Sequence, residues 1–314
     1  MDLILYIIAL IILFGILGLS ADFLVHNIKI ISRKLGIKIF TLGVVLGIMT
    51  SLPEMAVSIN SIINGIPNVS VGNLMGSVMV ILGLILGISL VLNRKIRTDG
   101  DMKYLIPQLG VVFIPFILGL DKKFGVLDGI IMIVIYIALL IYLYQISKKY
   151  KNVQVSIIKE QKILQSIFFS IISAIIVIAS SYVIVKLSVV LLNRLEIKPF
   201  ILGMFIFSIG TNLPEITVAI TSWKKKSPEL SVSHLMGSII TNVLILGFMS
   251  IIKPITINLE HSYTILMFFV AIILILTAIF YKTKKSLDRI EGVFLILTYL
   301  AFLYVTLVMQ IKII

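Results

Sequence analysis

The sequence predicts an all-α membrane protein of ten transmembrane helices arranged as two inverted five-helix repeats. The chain has 314 residues, of which 60% are apolar and only 13% are charged, whereas soluble domains carry about 25% charged residues. Its apolar segments are long enough to cross a bilayer, and short basic clusters separate them. Two polar motifs also recur at an offset of 161 residues, which predicts an internal repeat.

Each apolar segment is expected to form a helix, because lipid offers no hydrogen-bond partner to an open strand edge. Only Asp2 precedes the first segment, which therefore lacks the basic n-region of a signal peptide and is interpreted as the first span. The polar connection 148–162 divides the chain into a first repeat, residues 1–150, and a second repeat, residues 151–314. The predicted spans are residues 3–22, 39–63, 71–92, 104–120, 126–147, 163–192, 200–223, 232–252, 262–281 and 291–311.

Lysine and arginine predict the orientation of these spans. The net charge is +13, but the basic residues occupy short connections instead of a polar domain with interleaved aromatic residues, so nucleic acid is not an expected partner. By the positive-inside rule, the basic side is cytoplasmic, which makes both termini external in a multi-pass protein of the cell membrane. Five connections on that side hold 20 of the 27 basic residues: 26–38, 93–103, 148–162, 224–231 and 282–290.

The internal repeat consists of two polar motifs in each half. Residues 50–54 (TSLPE) return as residues 211–215 (TNLPE). Residues 70–77 (SVGNLMGS) return as residues 231–238 (SVSHLMGS), with six of eight identical. Because each half has five predicted spans, the second half enters the bilayer in the opposite direction. Inverted repeats place a substrate site near the bilayer midplane, which favours a carrier over an enzyme or a scaffold.

Glu54 and Glu215 are the principal candidate site residues. They lie well inside the second and seventh predicted spans, where a charged side chain costs at least about 2.5–3.5 kcal/mol. Neither is close enough to a helix end to reach the interface. Lys186 is the only basic residue inside a predicted span, which makes a structural ion pair improbable. We therefore expect the two carboxylates to share one cation site.

A proline precedes each glutamate, and it favours ion coordination there. Pro53 and Pro214 remove hydrogen bonds to the carbonyls of Met49 and Gly210, and exposed carbonyls at membrane depth line a cavity or bind something. Carboxylate, carbonyl and hydroxyl oxygens suit a hard cation such as Ca²⁺. Two negative charges neutralise one Ca²⁺, two Na⁺ or two H⁺, which allows exchange at a single site. The hydroxyl groups expected to contribute belong to Thr50, Ser51, Thr211, Ser77 and Ser238.

At these motifs the sequence resembles the calcium/cation antiporter superfamily, which includes the sodium/calcium and the proton/calcium exchangers. The resemblance covers nearly the whole chain, with ten spans, two inverted halves and both repeat motifs. It implies alternating access, in which one Ca²⁺ is exchanged for Na⁺ or H⁺. The acidic ligands of the family match Glu54 and Glu215. Its carbonyl and hydroxyl ligands match Thr50, Thr211, Ser51, Ser77 and Ser238.

The sequence also departs from the family pattern. Family members often carry Asn at the position of Ile81 and Asp at the position of Asn242, and Asn212 replaces a serine. We count Asn212 and Asn242 among the expected metal ligands, but the set has fewer polar groups than the sodium/calcium type. The segment from Gly43 to Glu54 is also one residue shorter than the segment from Gly203 to Glu215.

The expected function is exchange of Ca²⁺ for Na⁺ across the cell membrane, without enzymatic activity. Proton-driven exchange is the alternative within the class, because Ile81 and Asn242 remove ligands and burial favours the protonated form of a carboxyl group. A cation channel or a non-transporting paralogue are the alternatives of another class; a channel needs a continuous polar path and weak multi-site binding. The expected partners are the lipid bilayer and the transported ions Ca²⁺, Na⁺ or H⁺. No cofactor and no obligate protein partner are expected.

Overall fold

The helices that this computed structural model describes match the prediction of an all-α membrane protein. The described residues are 3–34, 48, 50–98, 101–147, 163–195, 198–216, 229–257, 260–283 and 286–311. Within them, eight helices are long and apolar enough to cross a membrane, and two shorter apolar helices, Leu52–Ile63 and Pro199–Thr211, fall in the second and seventh predicted spans. The predicted connection 148–162 and the carbonyl of Met49 lie outside the described residues.

The helices follow the order of the predicted spans. The third and seventh combine α-helical turns with one π-helical segment each, at Val80–Ile85 and Gly203–Phe207. We number them α1 Leu3–Lys34, α2 Leu52–Ile63, α3 Pro67–Asn93, α4 Met102–Leu118, α5 Val126–Ser147, α6 Ile163–Leu195, α7 Pro199–Thr211, α8 Glu229–Ile252, α9 Glu260–Thr283 and α10 Arg289–Ile311.

Two boundaries differ clearly from the prediction. Helix α1 continues to Lys34 instead of ending at residue 22, because apolar residues persist without Gly or Pro. Helix α3 begins at Pro67, four residues before the predicted start, because proline fits the first turn of a helix.

Two short β-ladders, which the sequence did not predict, connect the two halves. Strand β1 (Lys95–Arg97) follows α3 and pairs antiparallel with β4 (Ser286–Asp288), which precedes α10. Strand β2 (Lys123–Phe124) precedes α5 and pairs antiparallel with β3 (Ile255–Thr256), which follows α8. The two ladders are thus equivalent to each other, because each joins the segment after the third helix of one half to the segment before the fifth helix of the other.

Close glycine contacts inside the helical bundle also join the third helix of one half to the fifth helix of the other. A Cβ added to Gly87 of α3 would lie 3.0 Å from the carbonyl oxygen of Gly292 in α10, and one on Gly292 would lie 2.8 Å from that of Gly87. In the other pair of helices, a Cβ on Gly129 of α5 would lie 2.5 Å from the carbonyl oxygen of Gly247 in α8. Small residues allow helices to approach closely in membranes, so both contacts depend on glycine.

The π-helical segment of α3 explains a shift in the repeat offset. Gly76 and Gly237 are 161 residues apart, whereas Gly87 and Gly247 are 160 apart. The segment Val80–Ile85 lies between Gly76 and Gly87, and α8 is α-helical throughout. A π turn accommodates one additional residue in a helix, which accounts for the difference.

Helices α3 and α8 form the centre of the bundle. In the most apolar stretch of each of these two helices, 83% and 72% of the residues are buried. In the other six long helices the corresponding share is 22–39%. Large apolar side chains on the outer helices are exposed, as expected for a surface that faces lipid. They include Ile4, Ile11, Leu19, Leu164 and Ile290.

Helices α3 and α7 approach each other most closely at Gly72 and Gly203. A Cβ on Gly72 would collide with the carbonyl oxygen of Phe200, and one on Gly203 would collide with that of Val69. We therefore predict that Gly203→Ala destabilises the protein by about 1–3 kcal/mol, because the added methyl group overpacks a backbone contact. Thermal stability in detergent, followed by size-exclusion chromatography, measures the effect.

Gly110→Ala is the matched control, because a Cβ on Gly110 of α4 would meet nothing within 4 Å. Alanine is favoured over glycine in a helix by about 0.5–1 kcal/mol, so this variant should be at least as stable as the wild type. Equal stability of Gly203→Ala and Gly110→Ala would contradict the close approach.

Candidate functional site

An interruption of the second span positions Glu54. Thr50 is helical, Ser51 forms a turn with φ −87° and ψ 12°, and α2 begins at Leu52. Pro53 then lies in the first turn, where its missing N–H costs no hydrogen bond. Glu54 is the third residue of the helix, and the dipole at a helix N-terminus stabilises a carboxylate.

The seventh span is interrupted in the same way before Glu215. The helical segment Ser208–Thr211 ends at Asn212, which has φ −89° and ψ 14°, and residues 213–216 are helical again. Equivalent hydrogen bonds start both helices, since Met55 N donates to Ser51 O at 3.0 Å and Ile216 N donates to Asn212 O at 3.1 Å. Both carboxylates therefore lie in the first turn of a helix that begins inside the bundle.

All nine candidate ligands lie in the interior of the protein. Glu54 and Glu215 are 1% and 0% exposed, although each carries a carboxyl group. The other seven are also at most 3% exposed: Thr50, Thr211, Ser51, Asn212, Ser77, Ser238 and Asn242.

A chain of hydrogen bonds joins the first motif of one half to the second motif of the other. The Ser238 hydroxyl on α8 donates to Glu215 Oε1 at 2.8 Å. The hydroxyl oxygen of Thr50 lies 3.3 Å from that of Ser238. Either hydroxyl can donate in this second contact.

The reciprocal pair of motifs is joined as well. The amide of Asn212 donates to Ser77 Oγ on α3 at 2.9 Å, and to Ser208 O at 2.7 Å. The hydroxyl oxygen of Thr211 lies 3.1 Å from Asn73 Oδ1. Asn73 was not among the predicted site residues. Its position inside the repeated motif and inside a membrane span was the signal that could have identified it.

The two glutamates lie within electrostatic reach of each other. Glu54 interacts with Glu215 and with the hydroxyl of Thr211, and Glu215 also interacts with Asp22 of α1. Among the described residues, the charged groups that act on these carboxylates are thus acidic. Lys186 is exposed and its ammonium lies 4.7 Å from the centre of the Tyr182 ring, so its cation–π partner is a neighbour on its own helix.

Several buried oxygens of the site have no hydrogen-bond partner among the described residues. They are Glu54 Oε2, Glu215 Oε2, Asn212 Oδ1 and Ser51 Oγ. A buried carboxylate oxygen without a partner is unfavourable, and Ca²⁺ and similar hard cations bind such oxygens. The candidate set combines two carboxylates with hydroxyl and amide groups, so its chemistry is that of an oxygen site with two negative charges. The described part of the chain contains no group of three His, Cys, Asp or Glu residues that could hold a metal.

Asn242 stands apart from this network. It is 3% exposed, and neither of its amide atoms has a partner in the described ranges. It lines a small apolar cavity together with Val78, Phe116 and Ile239. Ile81 is fully buried in the core. The role of Asn242 as a ligand stays a prediction.

Comparisons with known proteins agree with this architecture. "Sodium/calcium exchanger MaX1" of Methanosarcina acetivorans is 26% identical over 94% of this chain and 97% of its own length. "Putative antiporter CaxA" of Alkalimonas amylolytica is 24% identical over 91% of this chain and 93% of its own length. The fold is similar to that of the sodium-calcium exchanger NCX_Mj, with a TM-score of 0.68 and 22% identity over 96% of this chain and 99% of that one.

The family model described as "Sodium/calcium exchanger protein" matches two segments of the chain, residues 5–145 and 165–308. The two matches cover nearly all of the sequence, and the first contains Glu54 while the second contains Glu215. They confirm the resemblance to the calcium/cation antiporter superfamily that the repeated motifs indicated. This chain therefore belongs to the sodium/calcium exchanger protein family.

Proposed function

We propose that the protein exchanges Ca²⁺ for Na⁺ across the cell membrane by alternating access, with Glu54 and Glu215 as shared ligands. The observation that carries this proposal is the pair of buried, mutually interacting carboxylates, each with one oxygen that no described residue satisfies. Family membership supports it. The names of MaX1 and NCX_Mj identify both as sodium/calcium exchangers.

The proposed ligands fall into two groups. Glu54 and Glu215 supply the negative charges, while Ser51, Asn212 and Asn242 offer oxygens without a partner among the described residues. The remaining side chains orient these groups through the observed hydrogen bonds and offer oxygens when the bonds rearrange. They are Thr50, Thr211, Ser77 and Ser238.

We propose ten spans in two inverted repeats, residues 1–150 and 151–314. The reciprocal contacts of α3 with α10 and of α8 with α5 support this architecture, as do the two β-ladders and the double family match. The ladder of β1 and β4 also brings together connections that the topology assigns to the same cytoplasmic side.

Proton-driven exchange is the second candidate, and Ile81 favours it. Ile81 is fully buried. Its side chain has no oxygen, whereas sodium-driven relatives more often have an Asn at this position. Uptake of ⁴⁵Ca²⁺ into proteoliposomes under separate Na⁺ and H⁺ gradients distinguishes the two. Uptake under the Na⁺ gradient alone supports the first proposal, and uptake under the H⁺ gradient alone supports the second. No uptake under either gradient contradicts Ca²⁺ exchange.

We predict that Glu54→Gln and Glu215→Gln each lower ⁴⁵Ca²⁺ uptake more than about 100-fold. Glutamine has nearly the same volume as glutamate but removes one of the two negative charges that would face the bound cation. Loss of one partner from a buried charge pair costs about 3–5 kcal/mol. The control is Glu291→Gln, because the Glu291 carboxylate accepts a hydrogen bond from Asp288 N at 2.7 Å at the start of α10. Normal uptake by either glutamate variant at the site would show that the shared-ligand proposal is wrong.

Transport is expected to be electroneutral, with two Na⁺ or two H⁺ for each Ca²⁺. Two carboxylates neutralise two monovalent ions, and a third would leave an uncompensated charge in a buried site. An imposed K⁺ diffusion potential should therefore change the uptake rate less than about two-fold. Movement of one net charge across the membrane would instead change the free energy of transport by about 2.3 kcal/mol per 100 mV. Clear acceleration by potential would reveal a further ligand.

The proposed topology can be tested by labelling, because the chain contains no cysteine. Lys151→Cys in the connection 148–162 should resist an impermeant thiol reagent on intact cells, since this connection is assigned to the cytoplasm. Lys123→Cys should react, because Lys123 is exposed in β2 on the opposite side. The reverse labelling pattern would overturn the orientation.

A further inference from the structure

Four buried serines near Glu54 depart from the usual behaviour of serine in membrane helices. Serine hydroxyls commonly donate to the carbonyl one turn earlier, as Ser77, Ser188 and Ser250 do at 2.7–2.8 Å. In contrast, the hydroxyls of four serines have no hydrogen-bond partner among the residues that the structure describes. These serines are Ser51, Ser58, Ser61 and Ser70, and all are at most 1% exposed.

Two of these serines extend the face of α2 that contains Glu54. Ser58 and Ser61 follow Glu54 by four and seven residues, so the three side chains lie within an arc of about 60° on a helix with 3.6 residues per turn. Asn60 lies on another face, where its amide donates to Ser181 of α6 at 2.8 Å. The hydroxyl groups therefore form a line that leads from the carboxylate towards the end of α2, on a different face of the helix from Asn60.

Helix α3 provides a second line at matching depths. Residues 64–66 connect α2 to α3 in a tight turn, with Ile66 N donating to Ser61 O at 2.9 Å and Gly65 at φ +76°. Since the two helices run in opposite directions from this turn, Ser70 lies at the depth of Ser61, and Asn73 at the depth of Ser58. The amide nitrogen of Asn73 has no partner among the described residues either.

The two lines meet at the same residue of α7. The hydroxyl of Thr211 lies 3.1 Å from Asn73 Oδ1 and also interacts with Glu54. The lines thus converge on the carboxylate from the end of the bundle that contains residues 64–66. This end also carries the ladder of β2 and β3, because Asn68 Nδ2 donates to Thr256 O at 3.0 Å.

We propose that Ser58, Ser61, Ser70 and Asn73, which we call the polar lines, form a hydrated path for cations between Glu54 and the turn at residues 64–66. The inference rests on the proposed function, because it supplies the route by which ions reach the shared site. Buried polar groups without partners are unfavourable unless water or an ion satisfies them. Neutral oxygens bind a cation weakly enough for it to leave again.

The spacing of the polar lines suits stepwise transfer of a partly hydrated cation. Ser58 and Ser61 lie about 6 Å and about 10 Å from Glu54 along the helix axis. A cation can therefore exchange water for one protein oxygen at a time. The second half lacks one of these groups, because the sequence places Ala219 at the position equivalent to Ser58. The sequence of the second half therefore has one hydroxyl fewer at the positions equivalent to Ser58, Ser61 and Ser70.

The absence of cysteine from the chain allows a direct test with single-cysteine variants in proteoliposomes. Ser58→Cys, Ser61→Cys and Ser70→Cys are treated with cationic aminoethyl and anionic sulfonatoethyl methanethiosulfonate, and labelling is normalised to the denatured protein. Ser250→Cys is the matched control. Ser250 is fully buried, lies two residues from the end of α8 as Ser61 does from the end of α2, and donates to its own helix at Leu246 O.

We expect the cationic reagent to modify Ser58→Cys and Ser61→Cys at least about ten-fold faster than Ser250→Cys, since thiol labelling depends on access. The anionic reagent should react more slowly at both positions, because Glu54 lies at the inner end of the path. Rates at both positions equal to that of Ser250→Cys would overturn the proposal. So would faster labelling by the anionic reagent.

Uptake of ⁴⁵Ca²⁺ by the parent protein separates failure of the path from failure of the proposed function. Labelling of the path without Ca²⁺ uptake supports the path and contradicts the assignment of Ca²⁺ as substrate. Uptake without labelling contradicts the path and supports the exchanger. Ser58→Ala should also slow uptake several-fold while Ser250→Ala does not, and equal rates for the two variants would count against the path.

Discussion

The close approach of α3 and α7 is the constraint on which the arrangement of the site depends. Gly72 and Gly203 allow each backbone to reach the other, and any side chain at either position would collide with a carbonyl oxygen. Asn73 follows Gly72 directly, and it reaches Thr211 across this contact. Ser77, one turn later, reaches Asn212. The hydrogen bonds between the halves are therefore a consequence of a backbone contact that contains no polar side chain.

Two further features adapt this packed interior to buried charge. Each glutamate lies in the first turn of a helix that begins inside the bundle, where backbone N–H groups favour a carboxylate. The outer helices and the two β-ladders then fix the ends of the central helices. The polar groups of the site thus come from the two points where a helix restarts and from the facing turns of α3 and α8. In the proposed exchanger, such a site offers a cation well-defined ligands without a separate polar domain.

Much of this organisation could be predicted from the sequence. The polar motifs stand out against long apolar segments, so both glutamates and the serines and threonines near them were identifiable without coordinates. The pairing of Asn73 with Thr211 was harder to predict, because it depends on which helices touch. The β-ladders contain only two or three residues per strand and result from contacts between the halves. The sequence showed a one-residue difference between the halves, but only the structure located a π turn at Gly203–Phe207 within the longer segment.

The π turn at Val80–Ile85 has a consequence for the energetics of the proposed alternating-access cycle. Two identical halves in opposite orientations would give the inward-open and outward-open states equal free energies. The central helix of the first half contains the additional residue, whereas its counterpart α8 is regular, so the packing of the two proposed states is not related by two-fold symmetry. Their populations then differ even without a gradient, because a difference in free energy between two conformations fixes their ratio. In the proposed cycle, the site therefore faces one side of the membrane more often than the other when no ion gradient is present.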